Sequence, residues 1–186
     1  MSGETRRALV SVGGSVAAFK ACDVITGLRR GGVDVRVAMT TAASHFVTPT
    51  LLQALSGHRV TAGIWDTATA DAEHGMSHLD LATWCDVHVV VAASADLVTR
   101  LALGLGDDAV TATALACTRP LLVAPAMEEA MWKHPATQTS VATLVARGAR
   151  MLGPVTGRLA SGHEGGGRMV EPSDIVAAVE ETLGVG

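Results

Sequence analysis

The chain has 186 residues, a formal net charge of −4 at neutral pH, and 48% hydrophobic against 17% charged residues. A chain of this length serves one hydrophobic core, so a single domain over residues 1–186 is expected, and so apolar a composition excludes extended disorder. The negative balance without any basic stripe excludes nucleic acid as a partner, and no apolar run approaches the roughly 20 residues of a membrane helix.

The opening MSGETRR leads straight into an apolar run, with neither the apolar region nor the cleavage site of a signal peptide, so a cytoplasmic protein is expected. Valine-rich runs then alternate with amphipathic stretches. Read in chain order they predict a strand over 7–12, a helix over 16–30, a strand over 35–39, and helices over 46–55 and 79–84. A strand over 87–92, helices over 95–103 and 109–116, a strand over 121–124, a helix over 136–147, a short strand over 150–152 and a last helix over 173–183 complete the series. Gly31, Gly32 and Gly148 supply helix stops. This alternation predicts an α/β fold, a doubly wound parallel sheet covered on both faces. Two segments, 63–77 and 153–171, the second with six glycines, read as long loops over a site. Cys22, Cys85 and Cys117 stand far apart, form no metal-ligand pattern, and are expected to be reduced and mostly buried.

In such a sheet, ligands bind beyond the carboxyl ends of the strands, so the strand-end residues are the ones to weigh. Gly13-Gly14-Ser15 follows the first strand and opens a helix. Its backbone N–H groups and the Ser15 hydroxyl suit a phosphate, although any tight strand-to-helix turn can use glycine in the same way. The run lacks the GxGxxG dinucleotide spacing. The second strand ends in Thr40-Thr41-Ala42-Ala43-Ser44, the third in Ala93-Ser94-Ala95-Asp96, and the fourth in Ala124-Pro125-Ala126-Met127-Glu128 followed by Met131 and Trp132. Ser and Thr are ordinary helix caps, and Asp96 can simply start a helix. Taken together, three consecutive strand ends built of small and hydroxylated residues point to a nucleotide-like cofactor. His78, at the head of a short helix, can exchange protons near neutral pH, although an isolated histidine serves as readily in a structural role.

The ordered set GGSVAAFKA (13–21), HLDLATWCD (78–86), ASADLVTRLALGLGDD (93–108), PAMEEAMWKHPATQ (125–138) and GRLASGHEGGGRMVEP (157–172) resembles the homo-oligomeric flavin-containing cysteine decarboxylases. That family includes phosphopantothenoylcysteine decarboxylase and the peptidyl-cysteine decarboxylases of lantibiotic and thioamide peptide biosynthesis. The resemblance runs from Ala8 to about Val179. It implies a flavodoxin-like three-layer sandwich and an FMN held between subunits of a trimer, or of a dodecamer built from trimers. It places the phosphate near Gly13, Gly14, Ser15 and Ser94, and Thr40, Phe46, Ala95, Asp96 and Met127 nearer the ribityl chain and ring. It makes His78 the catalytic histidine. Pro125, Ala126, Met127, Glu128, Met131 and Trp132 match the PxMNxxMW segment that grips the substrate carboxylate, and 157–169, with Ser161, matches a flap over the substrate.

Two positions depart from the family pattern. Glu128 stands where many members have Asn, and its ionised form would repel a substrate carboxylate unless protonated or paired. Ser161 stands where the phosphopantothenoylcysteine enzymes often have a cysteine linked to reduction of the enethiol product, and no cysteine follows Cys117. The bacterial coenzyme A enzyme is commonly fused to a ligase domain, and from the sequence given no such domain is expected here. The expectation is therefore oxidative decarboxylation of the C-terminal cysteine of a precursor peptide to an aminoenethiol, for aminovinyl-cysteine formation. The alternatives are phosphopantothenoylcysteine decarboxylation in coenzyme A biosynthesis and, from a different class, a non-catalytic flavin-binding or regulatory subunit. Flavin prenyl transfer is poorly served by HLDLATW, and no metal is expected.

Overall fold

The computed structural model describes residues 5–66 and 76–184. Five parallel strands, β1 (Arg7–Val12), β2 (Asp34–Met39), β3 (Val87–Ala93), β4 (Leu121–Pro125) and β5 (Arg150–Met151), form one sheet in the order β2-β1-β3-β4-β5. Every residue of β3 is buried, as a strand covered on both faces requires. Alternate side chains point to opposite faces of a strand. Ala8, Val10, Val12, Val89 and Val91 therefore join Ile25 and Leu28 of helix α1 (Ala21–Arg30) in one cluster, with Ile175 and Val179 of the C-terminal helix (Pro172–Leu183). Leu9, Val90 and Val123 pack on the other face, against four further helices.

Between β2 and β3 lie α2 (Pro49–Ser56) and α3 (Ser77–Trp84); α4 (Ala95–Leu103) and α5 (Ala109–Ala116) separate β3 from β4. The short α6 (Glu129–Lys133) and α7 (Pro135–Ala146) follow β4, and the C-terminal helix is α8. Leu81 of α3, Leu97 and Leu101 of α4, Val110 of α5 and Leu144 of α7 fill the second layer. Caps set the boundaries. Ser94 Oγ accepts from Leu97 N at 3.2 Å to start α4, and Asp108 and Thr111 form a capping box on α5. Gly104, at φ +69°, closes α4 in the left-handed conformation open to glycine.

The structure departs from the sequence expectation in five places, one of them α6, which is not predicted. The predicted helix 16–30 begins as a 3-10 turn, Val16–Lys20, and becomes α-helical only at Ala21. The helix predicted over 46–55 starts at Pro49, because residues 41–45 make a separate 3-10 turn and Thr48 caps α2 from outside, accepting from Leu51 N. The segment 153–171 is not a structureless loop. It holds an antiparallel hairpin of β6 (Val155–Arg158) and β7 (Glu164–Arg168), with Arg158 paired to Glu164. Of the other predicted loop, 63–77, residues 67–75 lie outside the described residues. Its start is a turn in which Asp66 accepts from Ala62 N and Gly63 N at 2.8 and 2.9 Å, and Ser77 belongs to α3.

The three cysteines are free thiols; Cys85 is buried, and Cys22 and Cys117 are partly so. No helix among the described residues is long and apolar enough to cross a membrane.

Candidate active site

Strand order β2-β1-β3-β4-β5 reverses direction between β1 and β3, so a crevice opens beyond the carboxyl ends of these strands. At the end of β1, Gly13 N donates to Val91 O at 2.8 Å. A Cβ on Gly13 would lie 2.4 Å from Ala92 O, and one on Gly14 would lie 2.3 Å from the Ala42 side chain. Both glycines are therefore required by close packing, whatever else they do. Ala92 itself has φ +59° at a register shift between Val91 and Ala93, so β3 ends in a bulge held in a conformation that costs an alanine about 1 kcal/mol or more.

Two cavities meet at this turn and share Gly14 and Ser94. The larger, about 570 Å³, is bounded by Ser15, Val16, Phe19, Phe46, Ala126, Met127, Glu128 and Met131, and roofed by Arg158, Ala160 and Met169. The smaller, about 330 Å³, takes in Thr40, Asp96, Arg100, Asp107 and Asp108. Arg100 pairs with Asp108 at 2.7 Å and with Asp107, and stands 3.9 Å from Asp96. Three carboxylates against one guanidinium make the smaller cavity hostile to an anion. The larger cavity carries Lys20, Arg158 and Arg168 against Glu128. Its Ser15 Oγ is buried with no hydrogen-bond partner among the described residues, a polar group whose burial costs free energy until something fills it.

The hairpin closes over the larger cavity through specific bonds. Met127 N donates to Gly167 O at 3.0 Å, and Gly166 N donates to Glu129 Oε1 at 3.1 Å. At the tip, Ser161 donates its hydroxyl to Glu128 Oε2 at 3.0 Å and its N–H to Oε1 at 3.4 Å. The two residues that depart from the family pattern thus meet each other. Lys133 and the Gly166 N–H together hold the Glu129 carboxyl below its usual range.

Of the residues singled out from the sequence, Gly14, Ser15, Phe46, Ser94, Ala126, Met127, Glu128 and Met131 line the larger cavity, and Thr40 and Asp96 the smaller. Gly13 and Pro125 are buried beneath them, and Ala95 forms the first turn of α4. Trp132, Ser161 and His78 line neither cavity; His78 sits in the first turn of α3 with its Nδ1 buried and unpartnered among the described residues. Sequence reasoning passed over Phe19, Lys20, Arg158 and Met169. The first two lie inside the GGSVAAFKA run, where an aromatic and a basic residue close behind the glycine turn were the available signal; Phe19 is exposed in the structure.

A parallel sheet in the order 2-1-3-4-5, with a glycine turn and a largely apolar slot at its switch point, defines a flavodoxin-like α/β fold. Residues 2–184 match the family described as Flavoprotein, and the chain belongs to that family. The coenzyme A biosynthesis bifunctional protein CoaBC of Vibrio vulnificus (strain YJ016) is 41% identical over 95% of this chain, which spans 43% of that relative's length. A PPC decarboxylase mutant with serine in place of a cysteine, solved with pantothenoylaminoethenethiol, superposes with a TM-score of 0.83 at 32% identity, covering 96% of this chain and 98% of the other. The FMN-dependent cysteine decarboxylase SpaF superposes with a TM-score of 0.80 at 31% identity, covering 95% and 97%. A flavin nucleotide fits the larger cavity in chemistry and size. Ser15 and the turn amides suit its phosphate, and Phe46, Met127 and Met131 offer apolar surface to a ring.

Proposed function

We propose that the protein binds FMN in the larger cavity and oxidatively decarboxylates the C-terminal cysteine of a precursor peptide to an aminoenethiol. The observation that carries this reading is the flap tip: Ser161, which matches the position of the family's reducing cysteine, is bound to Glu128, and no cysteine lines either cavity. Without such a thiol the reaction stops at the enethiol.

The chemistry FMN supplies when bound is two-electron oxidation of the substrate thiol to a thioaldehyde, an electron sink beta to the carboxylate that makes loss of carbon dioxide easy. The chain's own residues do the rest. The Gly14 turn, Ser15 and Ser94 would hold its phosphate, and Phe46, Met127 and Met131 would offer apolar surface to its ring. The hairpin excludes water and positions the peptide end. A substrate carboxylate about 4 Å from ionised Glu128 would be repelled by roughly 4 kcal/mol at a near-surface dielectric. Arg158 lines the same cavity and supplies the opposite charge, and the Ser161 hydroxyl disperses that of Glu128. His78 accepts a proton. Because it lines neither cavity of its own chain, it acts in the site of a neighbouring protomer, in a homo-oligomer that also covers Val16, Phe19, Phe46 and Met131, each 46–56% exposed. A cytoplasmic setting agrees with three free thiols.

The 41% identity to CoaBC favours a second reading, phosphopantothenoylcysteine as the substrate. Mass spectrometry after incubation with each substrate separates them. The peptide reading expects the cysteine peptide to lose carbon dioxide and two hydrogens, an amidated peptide to stay intact, and turnover to slow without oxygen. Reaction of phosphopantothenoylcysteine alone would overturn the peptide assignment and keep the decarboxylase; reaction of neither would leave a flavin-binding subunit.

A further inference from the structure

At the opposite end of the sheet, away from the flavin cavity, two cysteines 32 positions apart in sequence come together. Cys85 follows α3 and Cys117 follows α5, and packing of these two helices brings their C-terminal ends side by side. The two sulfurs are 3.6 Å apart. Cys85 is fully buried, whereas Cys117 is partly exposed and forms part of the wall of a cavity of about 590 Å³, lined also by Arg119, Arg147 and Leu115. Behind them lies His88, fully buried, its Nε2 within 2.7 Å of Ser11 Oγ and its Nδ1 without a partner among the described residues. None of these groups takes part in the decarboxylation proposed above.

We propose that Cys85 and Cys117 form a reactive dithiol site that takes up a low-molecular-weight disulfide, such as oxidised glutathione, and closes to an internal disulfide. The division of labour follows from position. Only Cys117 meets solvent, so its thiolate attacks one sulfur of the incoming disulfide; that S–S bond breaks and one glutathione thiolate leaves. Cys85 then attacks the Cys117 sulfur, the mixed S–S bond breaks, and the second glutathione leaves with the proton. The two cysteines are oxidised by two electrons and one external disulfide is reduced to two thiols. Closing from 3.6 Å to a bond of about 2.05 Å asks each sulfur to move by less than 1 Å, within reach of side-chain rotation.

Electrostatics favours the same order of events. The Cys85 thiol, pointing at Cys117, and then the nearby His88 ring pull the Cys117 thiol well below its usual range, against the opposing effect of burial. Cys85 is pushed up, first by its bond to Cys117 and then by burial. Once Cys117 is tied up in a mixed disulfide, the first of these causes is gone and Cys85 is released to attack. Cys22, on α1, is pushed up by burial and by Asp23, and has no second sulfur beside it. The arginine-flanked mouth suits the carboxylates of glutathione.

The test uses the flavin-loaded full chain, reduced, freed of reductant and exposed to oxidised glutathione at pH 6, where an unperturbed thiol is on the order of 0.3% thiolate. The expected result is a protein two hydrogens lighter, with a peptide containing Cys85 linked to one containing Cys117, Cys22 still free, and full reversal by dithiothreitol. Cys85→Ala should instead hold one glutathione on Cys117, and Cys117→Ala should leave the protein unmodified. If Cys22 reacts first, if Cys117 keeps its glutathione in the presence of Cys85, or if both cysteines stay free in the folded protein while reacting after denaturation, the proposal fails.

Discussion

Replacing Gly167 with alanine tests whether the hairpin is held over the cavity by close backbone packing. A Cβ at this position would lie 2.2 Å from Met127 O and 3.2 Å from the Glu128 carbonyl carbon, both backbone atoms that cannot rotate away. Relief requires β7 to withdraw by roughly 1 Å, which stretches the 3.0 Å bond between Met127 N and Gly167 O beyond hydrogen-bonding range. Overpacking costs about 1–3 kcal/mol and the lost buried bond about 1 kcal/mol more, so the variant should be about 2–4 kcal/mol less stable. For a domain of this size that lowers Tm by about 4–16 °C. Gly162→Ala at the hairpin tip is the matched control. Nothing lies within 4 Å of its Cβ, so only the strain of φ +89° remains, about 1–2 kcal/mol. Thermal unfolding with hydrogen exchange over residues 155–168 reads both effects. A Gly167→Ala protein with wild-type Tm and wild-type protection would refute the packing argument.

Ser15→Ala should leave stability within about 0.5 kcal/mol, because its hydroxyl bonds to nothing in the chain, yet weaken FMN binding by roughly 10- to 100-fold, as measured by flavin titration with FAD and NAD alongside. His78→Asn should keep fold and flavin and abolish decarboxylation; co-expressed with Ser15→Ala, at an FMN concentration too low to load Ser15→Ala alone, it should regain part of the activity if sites are shared between protomers, and none if each chain works alone. Glu128→Asn should preserve or raise turnover by removing a repulsion, and a fall of tenfold or more in kcat/KM would show the carboxylate to be needed. The Glu129 carboxyl is held below its ordinary 4.5, so the support it gives the hairpin is complete above that pH and is lost as pH falls through its lowered value. Exchange at the Gly166 amide should therefore quicken in acid beyond the intrinsic rate, and not in Glu129→Gln.

Periodicity carried the central fold into view, because buried parallel strands are written as valine runs and α4 and α5 carry their own caps, Ser94 and Asp108. It failed at the hairpin for a reason visible in Gly165 and Gly167. These strand positions hold glycine because Glu129 and the Met127 carbonyl press against them, so the contact that orders the segment also erases its strand signature. The strand-end residues were legible as a group, since topology alone sends them to one crevice. What a linear pattern could not supply was distance across the fold: that Ser161 reaches Glu128, that Cys85 touches Cys117, and that His78 stands apart from the cavities on its own chain.

The two margins of the sheet also limit how copies of this chain can meet. On one side β5 is only two residues long; on the other, Thr61 bridges to Ala38 and exchanges bonds with Val37 and Met39, covering part of the outer rim of β2. A short margin and a covered one are poor templates for strand addition, the common route by which sheets join into fibrils. Any association of copies would therefore have to run through side chains rather than through growth of the sheet.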